Sequence, residues 1–141
     1  MNGDRFFIDT NVFVNRFDET APDKAARADA IIRTGVLERR GVVSLQVAQE
    51  FCNVVLRKLP RGLAPPDAQA YLESDILPLL APAEAGALLR QGLSLHQRLH
   101  LAWYDALIVA AAQQAGCDVL YSEDFQHGQR FDQVRCVNPF L

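Results

Sequence analysis

The sequence predicts an α/β fold built on a short parallel sheet covered by helices on both faces, and three observations carry that reading. Brief apolar runs at residues 5–8 and 118–121 have the length and composition of buried strands. Stretches of helical periodicity lie between them, the alternation expected when parallel strands are joined by crossover helices. Each run then gives way to acidic and polar residues, Asp9-Thr10-Asn11 after the first and Ser122-Glu123-Asp124 after the second. In an open parallel sheet the ligand crevice lies at the carboxyl ends of the strands, so the pattern marks a site as well as a fold.

The first strand leads into a short helix over 12–16 and a longer one over 22–40. Pro22 suits a first turn, and Ala26, Ala30, Ile31 and Leu37 recur at near-helical spacing. Gly41 is expected to end this helix, ahead of a brief strand at Val42-Val43. Ser44 is placed to cap a helix over 45–59 that Pro60 stops. Residues 60–66 read as a loop from their Pro and Gly content, followed by a short helix from Pro66 or Asp67 to about Ser74. The run Ile76-Leu77-Pro78-Leu79-Leu80 reads as an edge strand or strand end, because Pro78 cannot donate to a ladder. Helices follow over 83–99 and 103–115, the second closed by Gly116. After the strand at 118–121 come a loop over 122–128 and a last short strand, Arg135-Cys136-Val137. No repeat or linker interrupts the chain, which reads as one domain over 1–141.

Half of the 141 residues are hydrophobic, enough to bury one core. The longest apolar run, Ala106 to Ala112, falls far short of the roughly 20 residues that span a bilayer. No basic leader and apolar signal core is seen at the start, so a cytoplasmic location with no membrane attachment is expected. Cys52, Cys117 and Cys136 are odd in number and sit among apolar residues, which suits reduced core thiols. The formal charge of −3 argues against a dedicated nucleic-acid binder. If four acids are neutralised by divalent metal, however, −3 becomes +1, and of the 14 basic residues only Lys24 and Lys58 are not arginine.

Four acids stand where they can converge. Asp9 and Asp124 follow strands. Glu50 lies on the helix from Leu45, where Val47, Ala48, Phe51, Val54 and Val55 form the apolar stripe and Gln46, Glu50, Asn53 and Arg57 share another side. Asp105 opens the apolar helix Trp103-Tyr104-Asp105-Ala106-Leu107-Ile108. Each has an ordinary explanation as well: turn or cap for Asp9, a solvated helix side chain for Glu50, a helix-dipole preference for Asp105. Glu123 competes with Asp124 for the inward position. Together, four carboxylates repel one another unless a cation joins them. Hard ions such as Mg²⁺ and Mn²⁺ prefer such oxygens and often share a substrate phosphate, which suits hydrolysis at phosphorus without a side-chain nucleophile.

The segments Asp9-Thr10-Asn11, Gln49-Glu50-Phe51-Cys52-Asn53-Val54, Trp103 to Ala112 and Tyr121-Ser122-Glu123-Asp124 resemble the PIN-domain family, most closely its VapC-type ribonuclease toxins of toxin–antitoxin pairs. The matches keep the family's order from Ile8 to Asp124, and Asn138-Pro139-Phe140 resembles a common family ending. The resemblance implies a three-layer α/β/α fold with a central parallel sheet of four to five strands. It also implies an Mg²⁺- or Mn²⁺-dependent endoribonuclease acting on RNA, a cognate antitoxin partner and a homodimer. Asp9, Glu50, Asp105 and Asp124 match the family's four acidic positions, its metal ligands and catalytic residues. Thr10, Asn11 and Ser122 match its supporting polar positions. The chain departs from the pattern at Ala102, where a capping Ser or Thr is common.

Other signals point to ordinary roles. His96 and His100 read as exposed helix histidines, since the His-Glu-x-x-His motif is absent, and His127 as a solvated loop residue. Arg57, Lys58 and Arg61 form a basic group suited to an RNA backbone. The glycines do not form a phosphate-binding loop. Two further classes compete: a non-catalytic PIN-like module that binds RNA or a partner, against which the four acids argue, and a phospho-acceptor domain, for which neither lysine is suitably placed.

Overall fold

A computed structural model describes residues 4–57 and 62–141. The strand β1 (Phe6–Ile8) has three consecutive buried side chains, the mark of a strand covered on both faces. It is followed by α1 (Thr10–Arg16), α2 (Pro22–Leu37), β2 (Gly41–Val42) and α3 (Leu45–Arg57). Next come α4 (Pro65–Tyr71), a π-helical turn over Leu72–Ile76 and a 3₁₀ turn over Leu77–Leu79. The chain ends with α5 (Ala85–Leu99), α6 (Trp103–Gln114), β3 (Val119–Tyr121), β4 (Arg130–Phe131) and β5 (Val134–Val137). The sheet order is β2-β1-β3-β5-β4, parallel except for β4, so the fold is the expected three-layer α/β/α arrangement with five strands. No helix among the described residues is long and apolar enough to cross a membrane.

The order β2-β1-β3 positions the site. From β1 the chain crosses to β2 on one side, and β3 pairs on the other, so the strand order reverses at β1 and a crevice opens at its carboxyl end. The Asp9 amide donates to the Tyr121 carbonyl at 3.0 Å, which brings the loops after β1 and β3 side by side. Beneath them Phe7, Ile8, Val12, Phe13, Val47, Phe51, Val109 and Leu120 are buried. Edge-on ring contacts of Tyr71 with Phe13 and Phe17 tie α4 to α1.

Several elements differ from the sequence reading. Helix α2 stops at Leu37, before Gly41, with Arg39 in the left-handed region at φ 56°. Gly41 instead opens β2, where a Cβ would lie 2.9 Å from the Gly35 Cα; it serves close packing of helix on strand. Residues 76–80 are not a strand but tight helical turns, from which only Leu80 bridges to Val43. Strand β4, unforeseen, pairs with β5 across a turn in which Asp132 has φ 54°. Helix α4 starts at Pro65, inside the anticipated loop. The foreseen end of the Glu50 helix at Leu59-Pro60, and Lys58 and Arg61 of the basic group, lie outside the described residues.

Candidate active site

The strand end supplies the first acid. Asp9 is 4% exposed and caps α1: Oδ1 accepts from the Thr10 amide at 2.8 Å, and Oδ2 from the Ser122 hydroxyl at 2.7 Å. Burial, opposed by these two bonds and reinforced by the charges of Asp124 and Glu50, pushes its carboxyl up to about 7.

Ser122, fully buried, is the centre of the loop after β3. Besides donating to Asp9 it accepts from the Asp124 amide at 3.0 Å and from Asn11 Nδ2 at 3.1 Å. Asn11 Nδ2 also reaches Asp124 Oδ2 at 3.2 Å, while its Oδ1 accepts from the Glu123 amide at 3.3 Å. The choice between adjacent acids is thereby made. Asp124 lines the cleft, and Glu123 turns away, its two oxygens taken by Asn15 Nδ2 and Lys24 Nζ, each at 3.1 Å. Asn15, buried on α1 and bonded also to the Asn11 carbonyl at 2.8 Å, was not anticipated; its signal was an amide four residues beyond Asn11.

Two helices complete the cleft. The Ser44 hydroxyl accepts from the Val47 amide at 3.4 Å at the start of α3. Glu50 then accepts from the Thr10 hydroxyl at 2.7 Å and lies beside Gln46. Val47, Ala48, Phe51 and Val55 are buried as the stripe required, but Val54 joins Gln46, Glu50 and Asn53 in lining the cleft. Asp105 sits in the first turn of α6, capped by Ala102 without a side-chain bond. Its carboxyl is raised by burial and by Asp124 and Glu50.

Asp9, Glu50, Asp105 and Asp124 thus line one cleft of about 460 Å³, with Thr10 and Asn11, and no Lys, Arg or His appears among its described lining residues. All four donors are hard oxygens, and the carboxyls of Asp9 and Asp105 are both pushed upward in part by the charges of Asp124 and Glu50, a setting that a bound cation would relieve. The donor set suits Mg²⁺ or Mn²⁺. No three acidic, histidine or cysteine side chains among the described residues are gathered tightly enough to hold an ion as they stand. Asp9, Glu50 and Asp124 each accept a hydrogen bond from a neutral donor: Ser122, Thr10 and Asn11.

The remaining candidates have structural roles. His96 donates from Nδ1 to the Leu101 carbonyl at 2.6 Å, and His100, at φ 58°, ends α5 rather than lying on it. His127 accepts from the Asn138 amide at 3.0 Å. Cys117 and Cys136 are buried free thiols, and Cys52 is a half-buried one.

Residues 6–134 match the PIN domain family. Among solved structures, FitAcB from Neisseria gonorrhoeae is similar over 96% of this chain and 98% of its own, at 23% identity and a TM-score of 0.63. FitAB bound to an IR36 DNA fragment is similar over 96% of both chains, at 25% identity and a TM-score of 0.66. A search of curated proteins found no match. With the three-layer α/β/α fold on a five-stranded sheet and the family match spanning most of its length, the chain belongs to the PIN domain family.

Proposed function

We propose that this protein is a metal-dependent endoribonuclease and the toxin half of a toxin–antitoxin pair, a homodimer acting in the cytoplasm with a cognate antitoxin. The observation that carries the activity is the meeting of four carboxylates, from the end of β1, from α3, from the start of α6 and from the loop after β3, in one cleft lined by no described basic side chain. Asp9, Glu50, Asp105 and Asp124 would hold Mg²⁺ or Mn²⁺, which when bound supplies Lewis-acid activation of water and charge neutralisation at the phosphate. Ser122 and the Thr10 amide hold both oxygens of Asp9, so that carboxylate is oriented in advance. Thr10 does the same for Glu50 and Asn11 for Asp124. The similarity to FitAB, bound to a DNA fragment, supports an assembly that meets nucleic acid.

The test is Asp9→Asn, which removes one charge and keeps the cap. Cleavage of RNA in Mg²⁺ or Mn²⁺ is expected to fall by on the order of a thousandfold or more. Full metal-dependent cleavage by the variant, in a preparation free of host nuclease, overturns the assignment. Growth arrest on expression, relieved by coexpression of a neighbouring small gene, tests the toxin reading separately.

A further inference from the structure

We propose that Tyr104 is a platform on which an unpaired base of the RNA stacks beside the acids; the inference rests on the ribonuclease reading. Tyr104 is 64% exposed, the one aromatic among the strongly exposed large hydrophobic residues described, and it lines the cleft immediately before Asp105. Its position is held from across the cleft. The Gln46 amide donates to the Tyr104 carbonyl at 3.2 Å and lies 3.5 Å from Glu50 Oε2, so one side chain on α3 links the start of α6 to the acids.

What the cleft lacks sharpens the argument. The described lining carries no Lys, Arg or His, and what it offers the face and edge of a base is the Tyr104 ring with the amides of Gln46 and Asn53. An exposed ring beside amide side chains is the chemistry that holds unpaired bases by their faces and edges. Asn53 Oδ1 accepts from Arg57 at 3.3 Å, which leaves its amide N–H groups for a base edge. A duplex keeps its base faces stacked internally and offers Tyr104 nothing to cover.

The probe is a short single-stranded RNA carrying one 2-aminopurine, alone or annealed to its complement, with Ca²⁺ replacing Mg²⁺ to hold off cleavage. Wild-type protein is expected to bind the single strand more tightly than the duplex and to quench the fluorophore. Tyr104→Leu keeps apolar bulk without a ring; it should weaken single-strand binding roughly 5- to 150-fold and lose the quenching, and Tyr104→Phe should recover both. In single-turnover cleavage with Mg²⁺ the loss should fall on the half-saturating protein concentration more than on the rate at saturation. Wild-type affinity or persistent quenching in Tyr104→Leu overturns the platform, and so does equal affinity of the wild type for the duplex. Either failure is distinct from that of the ribonuclease reading, which falls if the wild type does not cleave RNA in Mg²⁺ or Mn²⁺ or if Asp9→Asn cleaves as well as it does.

Discussion

The strand-end wall of the cleft and the start of α6 present their acids in opposite ways. Asp9 and Asp124 sit in a bonded network through Ser122 and Asn11, with Asp9 almost fully buried. The Asp105 carboxylate is half-buried and has no hydrogen-bond partner among the described residues, and its helix begins without a side-chain cap. On one wall side chains hold the carboxylates themselves; on the other the Asp105 carboxylate is placed by the backbone of its helix, which Gln46 steadies through the Tyr104 carbonyl. Orientation has a cost where it requires burial, since a buried carboxylate resists ionisation. The stability of the metal-free protein should therefore depend on the first wall far more than on the second.

The largest effect is expected at Asp9. Its carboxyl in the folded protein is pushed up to about 7 from the ordinary 3.8, so folding favours the protonated form. The associated stability is fully present below about pH 4 and is lost as pH rises through 7. Roughly three pKa units correspond to about 4 kcal/mol. Asp9→Asn should thus melt well above wild type at pH 8 in chelator, with little difference at pH 4, even as the proposed cleavage falls. Added Mn²⁺ should raise the wild-type melting temperature at pH 8 and not that of the variant. Identical melting profiles across this range would show that the strand-end wall bears no such cost.

Ser122→Ala comes next. It leaves Asp9 Oδ2, the Asp124 amide and one Asn11 contact without their shared partner in a buried place, a loss of about 1–3 kcal/mol by chemical denaturation. Ala102→Ser should act on the other wall with the opposite sign: a capping hydroxyl adds about 1 kcal/mol and leaves cleavage unchanged. Asp105→Asn should change stability least, by less than about 0.5 kcal/mol at neutral pH, while weakening Mn²⁺ binding measured by calorimetry. A stability loss at Asp105 as large as that at Ser122 would erase the contrast between the walls.

Much of this site could be read in the linear chain because its acids mark element boundaries. Asp9 follows three buried apolar residues, and Asp105 opens an unusually apolar helix, so each is conspicuous locally. Glu123 and Asp124 could not be separated in that way. Adjacent loop residues have no fixed periodicity, and the decision came from Lys24 and Asn15, about a hundred residues away. Tyr104 reads in the linear chain as one of an aromatic pair opening a buried helix; only its exposure reveals otherwise. The same applies to residues 76–80, whose apolar run resembles a strand yet forms turns, and to β4, whose two residues carry no pattern.

By itself, then, the sequence determined the α/β class, the main helices, the two central strands and the four candidate acids, because periodicity and strand-end chemistry are local properties. Only the tertiary structure decided that the four acids share a cleft, that Ser122 and Asn11 organise one wall of it, and that Glu123 faces away. Those outcomes depend on which distant donors reach a given carboxylate. The reversal of strand order at β1 is what brings those donors within reach.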